Sequence, residues 1–99
     1  MRELSEEDVK EVSRRVAEAV VDYISRRVQP KHIYVIDVHV ELRRSEEGGY
    51  VLDVFAYLDV NPFCGVDPDR LLDEAINAGF KVARRELGRL GVREVERGG

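Results

Sequence analysis

The side chains able to do chemistry are few and scattered. Cys64 stands in the loop Asn61-Pro62-Phe63-Cys64-Gly65 with neither a second cysteine two residues away nor a histidine beside it in sequence, the setting of a small semi-buried hydrophobe rather than of a nucleophile. His32 and His39 lie on opposite faces of one period-two stretch, with backbones roughly 23 Å apart at the usual rise of a strand. They cannot share a metal, and only a fold that brings His32 to Cys64 would supply that thiol with a base. Carboxylates are plentiful, but general acid–base work needs a cleft that drives two pKa values apart, and no expected concavity gathers them. Gly48-Gly49 joins two strands and lacks the following helix whose N-terminus would hold an anion. No catalytic, cofactor-binding or metal-binding set is therefore expected, and the chain does not read as an enzyme.

Binding chemistry is better represented. Val35, Val51, Phe55 and Tyr57 fall on one face of a two-stranded ribbon together with Asp37, His39, Glu41, Asp53 and Asp59. A purely solvated face would carry fewer large apolar groups. These four residues form the expected protein interface, and a homo-oligomer or another protein partner is expected on this face or along a sheet edge. Phe55 and Tyr57 also resemble an aromatic platform for single-stranded RNA, but the flanking aspartates would meet phosphates with like charge. A second route to RNA is Arg84, Arg85 and Arg89 near the end of the second helix, with Lys81 and Arg93 close by. Both helices start with acids and end with bases, which is the polarity that complements a helix dipole. Antiparallel helices would then set each basic end beside the other's acidic start, and Glu11 with Arg15 and Asp22 with Arg26 have the spacing of helical ion pairs. Structural electrostatics is the preferred reading of the basic ends, and nucleic-acid contact the alternative.

The elements that position these groups follow from periodicity. Ser5 before Glu6-Glu7-Asp8 reads as a helix cap with acids in the first turn, and Leu4 is placed to pack on Val9. Val9, Val12, Val16, Val20, Ile24 and Val28 recur at spacings of three and four, so the first helix is expected over 5–28, ended by Pro30. From 32 to 43 the period is two, with Ile36, Val38, Val40 and Leu42 inward; Ser45 to Gly49 makes a turn, and a second strand over 50–60 turns Leu52, Val54, Ala56, Leu58 and Val60 inward. Asp67 caps and Pro68 opens a second helix running to about Leu90, with Ala75, Gly79 and Ala83 leaving room for another backbone to approach closely. Residues 91–99 are expected as a frayed tail, with a short third strand at 92–95 as the alternative. The expected fold class is α+β, a two-layer α-β-β-α arrangement in which an antiparallel β-hairpin carries two antiparallel helices on one face.

Composition bounds the rest. The 99 residues suit a single domain, 43% of them are hydrophobic and 36% charged, and the formal net charge is −4, which disfavours a broad nucleic-acid binder. One cysteine, no signal-peptide pattern and no long apolar run point to the cytoplasm and away from membranes. Glutamine and asparagine are scarce (Gln29, Asn61, Asn77), Glu and Arg abundant, and threonine and tryptophan absent, a balance like that of proteins from hot environments.

The strand Tyr50-Val51-Leu52-Asp53-Val54-Phe55-Ala56-Tyr57-Leu58-Asp59-Val60, followed by the helix start Val66-Asp67-Pro68-Asp69-Arg70-Leu71-Leu72-Asp73-Glu74-Ala75, resembles a small archaeal domain-of-unknown-function family, number 3194. The first helix and first strand agree with it in pattern and length. Phe63-Cys64-Gly65 departs from it as a longer loop. The resemblance implies a cytosolic archaeal protein whose gene neighbours encode the prefoldin beta subunit and a small dimerising subunit of the KEOPS tRNA-modification complex. It supplies no functional residues.

Overall fold

The computed structural model describes residues 3–98. The order is α1 (Glu6–Ser25), a 3₁₀ turn (Pro30–His32), β1 (Ile33–Arg44), β2 (Tyr50–Val60), α2 (Pro68–Arg89) and β3 (Val95–Arg97). This is the expected α+β layering of helix, hairpin, helix, with one addition at the end of the chain.

Both helix starts are built as their sequences require. Ser5 Oγ accepts from the Asp8 amide at 3.1 Å while the Asp8 carboxylate accepts from the Ser5 amide at 3.2 Å, a reciprocal cap for two otherwise orphaned N–H groups. Asp67 Oδ1 accepts from the amides of Asp69 and Arg70 at 3.1 and 3.3 Å. The first helix stops at Ser25, short of the expected residue 28. Gln29 precedes Pro30 and is held extended, with ψ 141°, so the chain leaves the helical path in the preceding turn. Val28 nevertheless stays buried.

The hairpin pairs Ile36 with Leu58, Val38 with Ala56, Val40 with Val54 and Leu42 with Leu52, so the expected inward residues of the two strands stand opposite one another, and Val60 stands opposite Ile33. Ser45 donates its amide to Gly49 O at 2.7 Å and closes the turn. A bulge between Ile33 and Val35 displaces Tyr34 from the alternation. On the inward face α1 lies against β1 and α2 against β2, and the core runs along the ribbon in two clusters. One centres on Val12, Val16, Leu52 and Leu87, the other on Val20, Ile24, Leu71 and Ala75. The helices pack closely at Gly79, where a Cβ would lie 2.9 Å from Val20 Cγ2 and 3.3 Å from Val16 Cγ1.

The tail expectation for residues 91–99 is corrected over 91–98, and its last residue lies outside the described residues. Gly91 adopts φ 86°, its amide donates to Gly88 O at 3.1 Å and the Val92 amide to Leu87 O at 2.9 Å. This paired closure reverses the chain after α2 and inserts Val92 into the core. The Tyr50 amide then donates to Glu94 O, β3 pairs parallel with residues 50–52 of β2, and the Gly98 amide donates to Leu52 O. The Arg97 guanidinium lies 4.2 Å from the Phe80 ring centroid and donates to Asn77 Oδ1 at 2.9 Å, clamping the strand onto α2. The strand therefore begins at Val95, later than the 92–95 alternative, and the sheet order is β1-β2-β3.

Candidate functional site

The face of the sheet opposite the helices is assembled by strand parity and register. Across it Val35 stands beside Asp59, Asp37 beside Tyr57, His39 beside Phe55, Glu41 beside Asp53 and Arg43 beside Val51. The side chains of directly opposed residues lie close enough to interact, and the His39 and Phe55 rings stack with centroids 6.1 Å apart and planes inclined by 27°. Asp37, His39, Phe55 and Tyr57 border a shallow cleft of about 170 Å³ with Ala56 in its floor.

Three of the four expected interface residues are open to solvent: Val35 at 43%, Phe55 at 56% and Tyr57 at 60%. Val51 is not. It is only 8% exposed, because it lies in the three-stranded part of the sheet between Arg43 of β1 and Glu96 of β3. It belongs to the structural end of the face. Two exposed aromatics escape sequence reasoning. Tyr34, at the bulge, is 58% exposed, and Phe63 is 93% exposed in the β2–α2 loop. The alternation of β1 hides Tyr34, since a bulge leaves no mark in a regular hydrophobic pattern. Phe63 carries a signal in its position: an aromatic between Pro62 and Cys64 in a turn, where Asn61 Oδ1 accepts from the Phe63 amide at 2.9 Å and holds the loop.

The charge on this face is lopsided. Arg43 is its cation, and it stands 3.6 Å from the largely buried carboxylate of Asp53. Among the described residues Asp37, Glu41 and Asp59 form no ion pair. The free edge of β1 is guarded differently: Val38 shares a groove with Arg14, Ala17, Glu18, Val21 and Asp22 of α1. Charged side chains beside an edge discourage strand addition there.

Two of the three arginines considered for RNA are engaged elsewhere. Arg89 lies 3.3 Å and Arg85 3.8 Å from the Glu86 carboxylate, which Arg15 of α1 approaches at 3.4 Å. Glu86 is buried among them, and this cluster ties the basic end of α2 to the first half of α1, as antiparallel dipoles require. Sequence reasoning passes over Glu86, although a carboxylate between Ala83 and Leu87 on an otherwise apolar arc marks it. Arg84 joins no ion pair among the described residues and shares no common site with the other two. The Glu11–Arg15 pair forms at 2.8 Å, with Arg14 on the same carboxylate at 2.6 Å, while Asp22 and Arg26 form no side-chain ion pair among the described residues. Hydrogen bonds from Arg14 and then Arg15 hold the Glu11 carboxyl at about 2, below its ordinary value of 4.5. A carboxylate depressed in the folded state stabilises at neutral pH and loses that contribution as pH falls from about 4.5 through about 2. Carboxyl-carbon NMR is expected to show Glu11 titrating near 2; replacing both Arg14 and Arg15 by glutamine should return it to the ordinary glutamate range.

Cys64 is free and half-buried against the second core cluster. Among the described residues no three His, Cys, Asp or Glu side chains converge as metal ligands, and no helix is long and apolar enough to cross a membrane.

Known proteins resemble the chain over most of its length. An uncharacterised protein of Pyrococcus horikoshii is 30% identical over 87 residues, covering 88% of this chain and 73% of that one. One from Methanothermobacter thermautotrophicus is 31% identical, covering 82% and 86%. The solution structure of a hypothetical protein from the same organism superimposes with a TM-score of 0.71 at 31% identity, over 95% of this chain and 98% of that one. A crystal structure from Thermococcus onnurineus gives 0.76 at 30% identity, over 92% and 86%. The family model for proteins of unknown function designated DUF3194 matches residues 1–85, and the chain belongs to that archaeal family.

Proposed function

We propose that this protein is a non-enzymatic protein-interaction module, working as a homodimer or as a subunit of a larger assembly, and that it docks through the open sheet face around Val35, Phe55 and Tyr57. The supporting observation is the exposure of these three residues, from 43% to 60%, on a sheet whose other face is roofed by both helices. Burial of large aromatics drives association at the centre of an interface, and a polar rim such as Asp37, Glu41 and Asp59 sets its boundary. The alternative of RNA binding through Arg84, Arg85 and Arg89 has less support, since two of these guanidiniums already neutralise Glu86.

Replacing Phe55 and Tyr57 together by serine tests the reading. Both positions are solvent-exposed, so the variant is expected to keep its circular dichroism spectrum and lose at most about 1 kcal/mol of stability. Its solution mass by light scattering should fall relative to the parent, or a partner co-purified with the parent should be lost. An identical mass together with an identical set of co-purified proteins overturns the proposal.

A further inference from the structure

We infer that the open sheet face takes a basic, apolar protein segment, with a guanidinium or ammonium group of that segment seated over Phe55 and Tyr57 beside Asp37. This rests on the interaction-module reading and narrows its partner. The cleft is bordered by two exposed aromatic rings, one of them stacked on His39, next to the carboxylate opposite Tyr57, and a cation over an aromatic ring gains from the ring quadrupole as well as from a neighbouring anion. Glu41 and Asp59 extend the negative charge along both strands, and Arg43, the cation of the face, is engaged with Asp53. Stacking two such faces would bring their acids into one interface, so of the two options in the interaction-module reading a different protein is favoured here over a second copy, as it is over a phosphate backbone. An extended segment that carries cationic and apolar side chains on the same side, at every second residue, matches the mixture of acids and aromatics on this face.

The probe is a peptide of about ten residues in which arginine and valine take turns at every second position with serine between them, so that both kinds share one side of an extended chain; it is titrated into the full ¹⁵N-labelled chain and compared with the same peptide carrying uncharged citrulline for arginine. The arginine peptide is expected to shift the amides of Asp37, His39, Phe55, Tyr57 and Asp59, and the citrulline peptide to bind roughly tenfold more weakly. Asp37→Asn combined with Asp59→Asn should weaken the arginine peptide by a similar factor without moving the citrulline peptide. Raised salt should narrow the gap between the two peptides. Equal affinity of the two peptides for this face overturns the inference while leaving the interaction-module reading intact, because apolar docking without charge preference remains. Absence of binding, or shifts confined to the acidic helix starts at 6–8 and 67–74, also overturns it. Tighter binding of an oligouridylate than of the arginine peptide at Phe55 and Tyr57 overturns both.

Discussion

Gly79→Val is expected to destabilise the protein by about 3 kcal/mol in guanidinium unfolding, at the upper end of what overpacking a core does. The α1–α2 contact has no space for a side chain there: the Cβ alone would stand 2.9 Å from Val20 Cγ2, and Val16 lies on its other side. Valine has a single favoured rotamer in a helix, so it cannot turn its methyl groups away, and the helices must separate along their whole contact. Gly88, in the last turn of the same helix, is the converse case: a Cβ added there would meet nothing within 4 Å. Gly88→Ala should stabilise by about 0.5–1 kcal/mol through helix propensity alone. The two substitutions change the same residue type in one helix with opposite signs. If Gly79→Val also proved neutral, helix contact at Gly79 would not be a determinant of the fold.

Leu52→Ala should cost about 3–4 kcal/mol, the range for removing a large aliphatic side chain from a site that cannot collapse. Leu52 has no exposed surface, lies on the central strand, faces Leu42 across the hairpin and accepts through its carbonyl from Gly98 in the chain end. Strands on both sides restrict the backbone, so the cavity persists. For a domain of this size each kcal/mol corresponds to about 4–8 °C in Tm, and a thermal scan should register the change plainly. Phe55, three residues along the same strand on the other face, is the internal control: its replacement by serine should cost no more than about 1 kcal/mol. The contrast separates the buried face, which sets stability, from the open face, where Phe55 is exposed to solvent. Comparable losses at Leu52 and Phe55 would mean that the open face is itself part of the core.

Much of the fold is legible in the sequence because its signals are local. Ser5 and Asp67 announce their helices by chemistry that acts within three residues. The change from the three-and-four spacing of Val9 to Ile24 to the two-residue spacing of Ile36 to Leu42 marks where helix gives way to strand. The side-chain alternation then assigns Phe55 and Tyr57 to the open face before any coordinate is known. Ala75, Gly79 and Ala83 foretell the close approach of α1, since small residues on an apolar arc leave room for little else.

What escapes such reading is non-local. Val95–Arg97 is too short to carry a period, and its stability comes from Tyr50, Phe80 and Asn77, all distant in sequence. Val51 reads as exposed by parity and is covered because that unseen strand lies beside it. Glu86 needs Arg15 from the other helix before its burial makes sense.

Caps and periodicity operate over a few residues of one chain, and so the order of amino acids alone settles which stretches become the two helices and the two long strands, and which side of the ribbon is apolar throughout and which is mixed. It took the folded arrangement to establish that a third strand closes one end of the sheet, that three arginines converge on Glu86, and that Phe55 and Tyr57 stay open while Val51 does not. These outcomes depend on groups brought together across the chain by folding, and burial is a property of neighbours in space.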